Sequence, residues 1–164
     1  MDLSNKLSNN LKRCIKEALK QATTYQAPHV GINFFLLALF QQKGSLAYEM
    51  LHQKELTFDE LQNVLLGQPE LLPPTQKNLP PLSLSPELQD MLLRSFLLAQ
   101  KHHHFFVGTE HCLAVLLDNP PHILSHVCEL YGLDKKKLQQ QVQALLRGNS
   151  KFPELKAKEP NGDH

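Results

Sequence analysis

The sequence predicts an all-α fold: two tandem four-helix repeats packed as one pseudo-twofold body of about eight helices. Three observations carry this. No stretch alternates apolar and polar residues with period two over a useful length, which argues against sheet. Apolar residues recur instead at helical spacing. The chain also superposes on itself, without gaps, when shifted by 77 residues: Leu7, Ser8 and Leu11 fall on Leu84, Ser85 and Leu88. Ala22, Val30, Gly31, Leu36 and Leu39 fall on Ala99, Val107, Gly108, Leu113 and Leu116, and Leu56 and Leu61 on Leu133 and Leu138. A few matched leucines arise by chance. A Val-Gly pair at the same place in each copy, followed each time by an apolar helix, marks an internal repeat.

Each copy reads as four helices. Helix one starts at a serine, Ser8 or Ser85. Ser85-Pro86-Glu87 is a strong start: serine caps free N–H groups, proline suits the first turn and glutamate complements the dipole. Leu11, Ile15, Ala18, Leu19 and Ala22 then share one face, as do Leu88, Leu92, Ser95, Phe96 and Ala99. Helix two, FFLLALF or CLAVLL, is apolar nearly all round, so it is the expected centre of each bundle. Helix three carries Leu46, Met50 and Leu51, matched by Ile123, Val127 and Leu130. Helix four carries Phe58, Leu61 and Leu65, matched by Leu138, Val142, Leu145 and Leu146.

The expected organisation is a first repeat over 1–67, a proline-rich linker over 68–83, a second repeat over 84–148 and a flexible tail over 149–164. The stretch from Gly67 to Leu84 holds five of the 11 prolines and has no periodicity. The tail is polar and patternless. A bundle of roughly 60 residues is marginal for burying a core, so the two copies are expected to pack together.

Composition excludes several functions. Seventeen basic residues against 16 acidic give a net charge of +1, and no basic stripe interleaves with aromatics, so nucleic acid is not an expected partner. No apolar run reaches the roughly 18 residues that span a bilayer, and the polar start shows no secretory signal. Cys14, Cys112 and Cys128 form no CxxC pair and sit among apolar helical residues. They read as core thiols of a reducing compartment, and hence a cytosol-like location. No phosphate-binding GxxxxGK[ST] and no GxSxG elbow occur, so an enzyme is not expected. Cys112 beside His111 resembles a nucleophile and base, but adjacent helical residues point about 100° apart. His122 and His126, at i and i+4, could share a helix face as metal ligands. His102, His103 and His104 are consecutive and diverge. No HExxH and no Cys at ligand spacing accompany them, so neither a metal nor a cofactor is expected.

The stretch FVGTEHCLAVLL, residues 106–117, carries the sharpest signal. Val107-Gly108-Thr109-Glu110 sets a carboxylate and a hydroxyl at a helix start, beside exposed amides. A carboxylate holds a guanidinium through two charge-assisted hydrogen bonds, and a phosphate is drawn to helix N-terminal N–H groups. The plainer alternative is that Thr109 caps helix two and Glu110 complements its dipole.

Ser85 through Gly108, the run Thr109-Glu110-His111 with His104 before it, the long apolar helix and Gly132-Leu133-Asp134 resemble the double Clp N-terminal repeat. That is the N-domain of Clp-type AAA+ unfoldases such as ClpC and ClpA. The resemblance covers roughly residues 5–148 and is weaker in the first copy, where Gly31-Ile32-Asn33-Phe34 replaces Gly-Thr-Glu-His. Asp118-Asn119-Pro120-Pro121 departs from the family's glycine-rich loop. The resemblance implies a substrate- and adaptor-binding module that passes proteins to an ATPase ring and its protease, in a bacterial cytosol or a plastid stroma. A stand-alone accessory protein regulating the same machine is the alternative. In ClpC-like members the signature Glu and a helix-one hydroxyl hold phosphoarginine marks. The matching residues are Ser85, Thr109 and Glu110, with weaker first-copy counterparts Ser8, Ile32 and Asn33; Asn33 has no charge to offer.

Overall fold

The computed structural model describes residues 4–52, 57–67 and 83–148. A short 3-10 turn, Ser4–Lys6, leads into eight α-helices among these residues. The first four are α1 (Asn9–Thr24), α2 (Ile32–Gln41), α3 (Leu46–His52) and α4 (Phe58–Leu66). The second four are α5 (Pro86–Lys101), α6 (Thr109–Asp118), α7 (His122–Leu130) and α8 (Lys135–Arg147). The fold is all-α, as the periodicity requires. All but Ser83 of the expected linker, and the whole expected tail, lie outside the described residues.

Local chemistry sets the helix starts. Ser8 and Ser85 cap α1 and α5, each Oγ accepting from a backbone N–H three residues on, Leu11 and Leu88, at 3.1 Å. Pro86 occupies the first turn of α5. Thr57 caps α4 and Asp134 caps α8. Gly132, with φ +67, supplies the left-handed turn after α7 that a side chain would resist.

Helices α2 and α6 are the two bundle centres. Every residue from Phe34 to Phe40 is buried, and so is every residue of α6 except Val115 and Asp118. Helix α2 packs on α1, α3 and α4, and α6 on α5 and α8. Between the repeats α2 meets α5, α3 meets α6 and α4 meets α7, so the two bundles share one contiguous core.

Some expected faces shift. In α1, Cys14 completes the buried stripe with Leu11, Ala18 and Ala22. Leu19 is 39% exposed, because α2 covers the stripe centred on Cys14. Met91 joins the buried face of α5. In α7 Leu130 is 53% exposed and Cys128 is buried in its stead, which is the residue that the 77-residue shift places on Leu51. Leu145 is half-buried. The side chains of Met50, Leu51 and Phe58 lie outside the described residues. No helix among the described residues is long and apolar enough to cross a membrane.

Candidate functional site

The repeats are joined crosswise by their extended residues. Leu7, just before α1, forms an isolated parallel bridge with Val107, just before α6. Its twofold mate joins Leu84, just before α5, to Val30, just before α2. Four backbone hydrogen bonds make the two bridges. Ser8 N–H donates to Val107 O at 2.8 Å, and Val107 N–H to Lys6 O at 2.7 Å. Ser85 N–H donates to Val30 O at 2.8 Å, and Val30 N–H to Ser83 O at 2.9 Å.

This crossing regroups the residues that the sequence singles out. Ser85 and Glu110 stand at opposite ends of their own repeat. The 16 residues of α5 rise about 24 Å before the loop carrying His104 reaches α6. The hydroxyl beside Thr109 and Glu110 is that of Ser8, and Ser85 sits instead beside Ile32 and Asn33. The six residues thus form two sites, each drawing its serine from one repeat and its helix-two start from the other.

The site at α6 is closely built. Ser8, Thr109, Glu110 and His111 are all buried. Glu110 folds back over Gly108: a Cβ at that position would overlap its carboxylate, which would have to swing away. His111 takes the place that a glutamate or glutamine fills in a capping box, its Nδ1 accepting the Gly108 N–H at 2.9 Å. An Nδ1 that accepts carries no proton. The imidazole is then neutral with its proton on Nε2, which lies 2.8 Å from His104 Nδ1. Glu110 Oε1 lies 3.1 Å from the same His111 Nδ1. With no proton between them, this contact is no hydrogen bond, and Oε1 is a buried oxygen without a partner. Buried polar atoms rarely go unmet, and a charged one is costly to leave so.

The site at α2 is self-satisfied. Asn33 Nδ2 donates to Leu65 O at 3.3 Å, and its Oδ1 accepts the Phe34 N–H at 3.1 Å. Ile32 is apolar core. A Cβ on Gly31 would come 3.1 Å from Asn33 Oδ1, tight but without the overlap seen at Gly108.

The remaining candidates fall to other roles. Cys112 is fully buried, its thiol pushed up to about 12 chiefly by burial, with the Ser95 hydrogen bond opposing and the Glu110 charge adding a smaller push. It is no nucleophile. The described residues hold no group of three potential metal ligands, and His122 and His126 are exposed. His102 stacks on His104 at 5.7 Å between centroids. Burial, then repulsion from His111 in its charged form and from Lys101, Arg147 and His103, lower its pKa.

Composition gave no hint of a second surface. An open groove of about 880 Å³ runs along α5, α6 and the start of α7. Met91, Leu98, Ala114 and Ile123 line it, with Asp90 and Lys101 at its rim. Leu97, 53% exposed, lies on it, and Leu93, 50% exposed, is on the same helix.

The family described as the Clp repeat (R) N-terminal domain matches residues 6–111 and again 83–160. The ATP-binding subunit ClpC of the ATP-dependent Clp protease from Staphylococcus aureus (strain USA300) is 27% identical over 156 residues, covering 95% of this chain. That alignment takes in 18% of the relative's length, so the chain spans under a fifth of it. Among solved structures, the N-terminal domain of the chaperone ClpD from Arabidopsis thaliana superposes with a TM-score of 0.66 at 13% identity, covering 89% of this chain and 97% of that one. The ClpV N-domain in complex with a VipB peptide gives 0.65 at 18% identity, covering 93% and 95%.

Proposed function

The chain belongs to the Clp N-terminal repeat family, and from that premise we propose that it is the substrate- and adaptor-docking domain of a Clp-type AAA+ unfoldase. The relatives it matches are ATP-binding subunits of a Clp protease, which supports a place upstream of an ATPase ring and a protease. A fold shared with an N-domain solved in complex with a peptide supports peptide docking. The residues supply two surfaces for it. The groove along α5 and α6 offers exposed Leu97 to apolar segments, with exposed Leu93 on the same helix.

The site at α6 offers a marked side chain something more specific, and the carrying observation is the unpartnered Glu110 Oε1. A guanidinium meets that oxygen with a charge-assisted hydrogen bond. The start of α6 and the Ser8 hydroxyl hydrogen, not used by the cap, suit a phosphate beside it. One side chain carrying both groups, phosphoarginine, fits the pair. The carboxylate is 4% exposed, so the ligand reaches it by drawing it off Gly108.

Titration calorimetry with free phosphoarginine tests this. One site per chain is expected, weakened about ten- to a hundredfold by Glu110→Ala with helicity intact. Two equal sites, or undiminished binding by Glu110→Ala, would leave Glu110 as an ordinary helix-start carboxylate.

A further inference from the structure

We propose that occupancy of the α6 site is proton-linked: a cationic ligand and a proton on His111 compete for the same oxygen, Glu110 Oε1. The proposal rests on the reading of that site as a guanidinium receptor. Its basis is the geometry around one ring nitrogen.

His111 Nδ1 faces two groups at nearly equal distance, the Gly108 N–H at 2.9 Å and Glu110 Oε1 at 3.1 Å. It can serve only one. Neutral, it accepts from Gly108 and leaves Oε1 without a partner. Protonated, it donates to Oε1, gaining a charge-assisted hydrogen bond in a site sheltered from water. The carboxylate is then met from inside, and an arriving guanidinium must displace that proton. The sign follows: binding is strongest with the ring neutral and weakens as pH falls through its titration. At intermediate pH, binding expels a proton.

The proton has a way in. His111 Nε2 contacts His104 Nδ1 at 2.8 Å, and His104, half-buried, stacks on His102 at 5.7 Å. His111 itself is fully buried, so exchange runs through this ring pair.

The neighbouring charges come from every element packed on α6. Lys101 lies at the end of α5, and His102, His103 and His104 lie in the loop after it. Arg147 of α8 acts on His102. Lys6, before α1, shares a cavity with His103 and His104. Glu49 and His52 of α3 are exposed. On α6 the only other titrating groups beside the ring are Glu110 and the inert Cys112 thiol. Cations thus stand near the rings, and among the described residues Glu110 is the carboxylate in contact with His111.

The test is titration of the full chain with free phosphoarginine from about pH 8 to about pH 6, the range in which an imidazole changes charge. Affinity should fall measurably from the upper end of this range to the lower. Near pH 6.5, heats in two buffers of different ionisation enthalpy should show proton release. His111→Asn keeps an acceptor for Gly108 and removes the proton, so its binding should be flat across the range. Should that variant misfold, ring nitrogen shifts of the unmodified chain decide. Adding phosphoarginine near pH 6.5 should return His111 to its neutral form, and Glu110→Gln should make the ring easier to deprotonate. Equal affinity at both ends of the range, or a His111 ring indifferent to ligand and to Glu110→Gln, overturns the linkage alone. No binding at any pH overturns the receptor reading and the linkage together.

Discussion

Cutting the chain at Pro74 should leave neither piece able to fold alone. The structure supplies the magnitude. The cut separates both partners of all four crossing hydrogen bonds: Ser8 from Val107, Val107 from Lys6, Val30 from Ser83 and Ser85 from Val30. Each contributes about 0.5–1.5 kcal/mol net, so together about 2–6 kcal/mol. A small domain holds only about 5–15 kcal/mol in all, and a piece near 70 residues sits toward the low end. The pieces also lose the α2–α5, α3–α6 and α4–α7 contacts, which uncovers parts of two nearly all-apolar helices. Residues 1–74 alone should therefore give poorly dispersed amide spectra and a broad, non-cooperative melt. Mixing them with residues 75–164 should restore the spectrum of the intact chain. A sharp transition in the first piece alone would refute the reasoning, and so would a failure of the two pieces to complement.

Other outcomes follow from the site. Glu110→Ala should weaken phosphoarginine binding about ten- to a hundredfold, the equivalent of about 1.5–3 kcal/mol for a charge-assisted hydrogen bond, as read by calorimetry. Ser8→Ala should weaken that binding while Ser85→Ala should not, although both should lose about 1 kcal/mol of stability with their caps in a denaturant titration. Asn33→Ala should leave binding unchanged, and Asn33→Glu should create a second calorimetric site beside Ser85. A thiol reagent at pH 8 should leave Cys112 unmodified in the native chain, since a thiol raised to about 12 carries almost no thiolate; rapid labelling of Cys112 would contradict its burial.

The helices were legible because their signals are local and repetitive. Ser8 and Ser85 announce their caps, and the unbroken apolar runs of α2 and α6 announce the two centres. Glu110 stood out because a carboxylate at the head of an apolar helix is conspicuous. What could not be read was which serine it faces. A shift of 77 residues maps one repeat on the other equally well whether they pack side by side or crosswise. The residues that decide it, Leu7, Val30, Leu84 and Val107, each make one isolated bridge, too short for any periodic pattern. The groove escaped notice for a related reason. Leu93 and Leu97 satisfy helical spacing as well as any core leucine, and only packing shows that nothing among the described residues covers them.

The crosswise pairing also constrains how the two halves of such a chain can drift apart. Neither site is encoded within one repeat. Ser8 answers to Glu110 across the molecule, and Ser85 to Asn33. A change in the first repeat therefore has divided effects. With an amide at position 33, the carboxylate is missing from the α2 site, yet the same repeat still supplies the hydroxyl and the backbone N–H that frame Glu110. The less conspicuous copy is thus no spare that can decay behind a working one. Losing its first eight residues would strip a wall from the site its twin is recognised by.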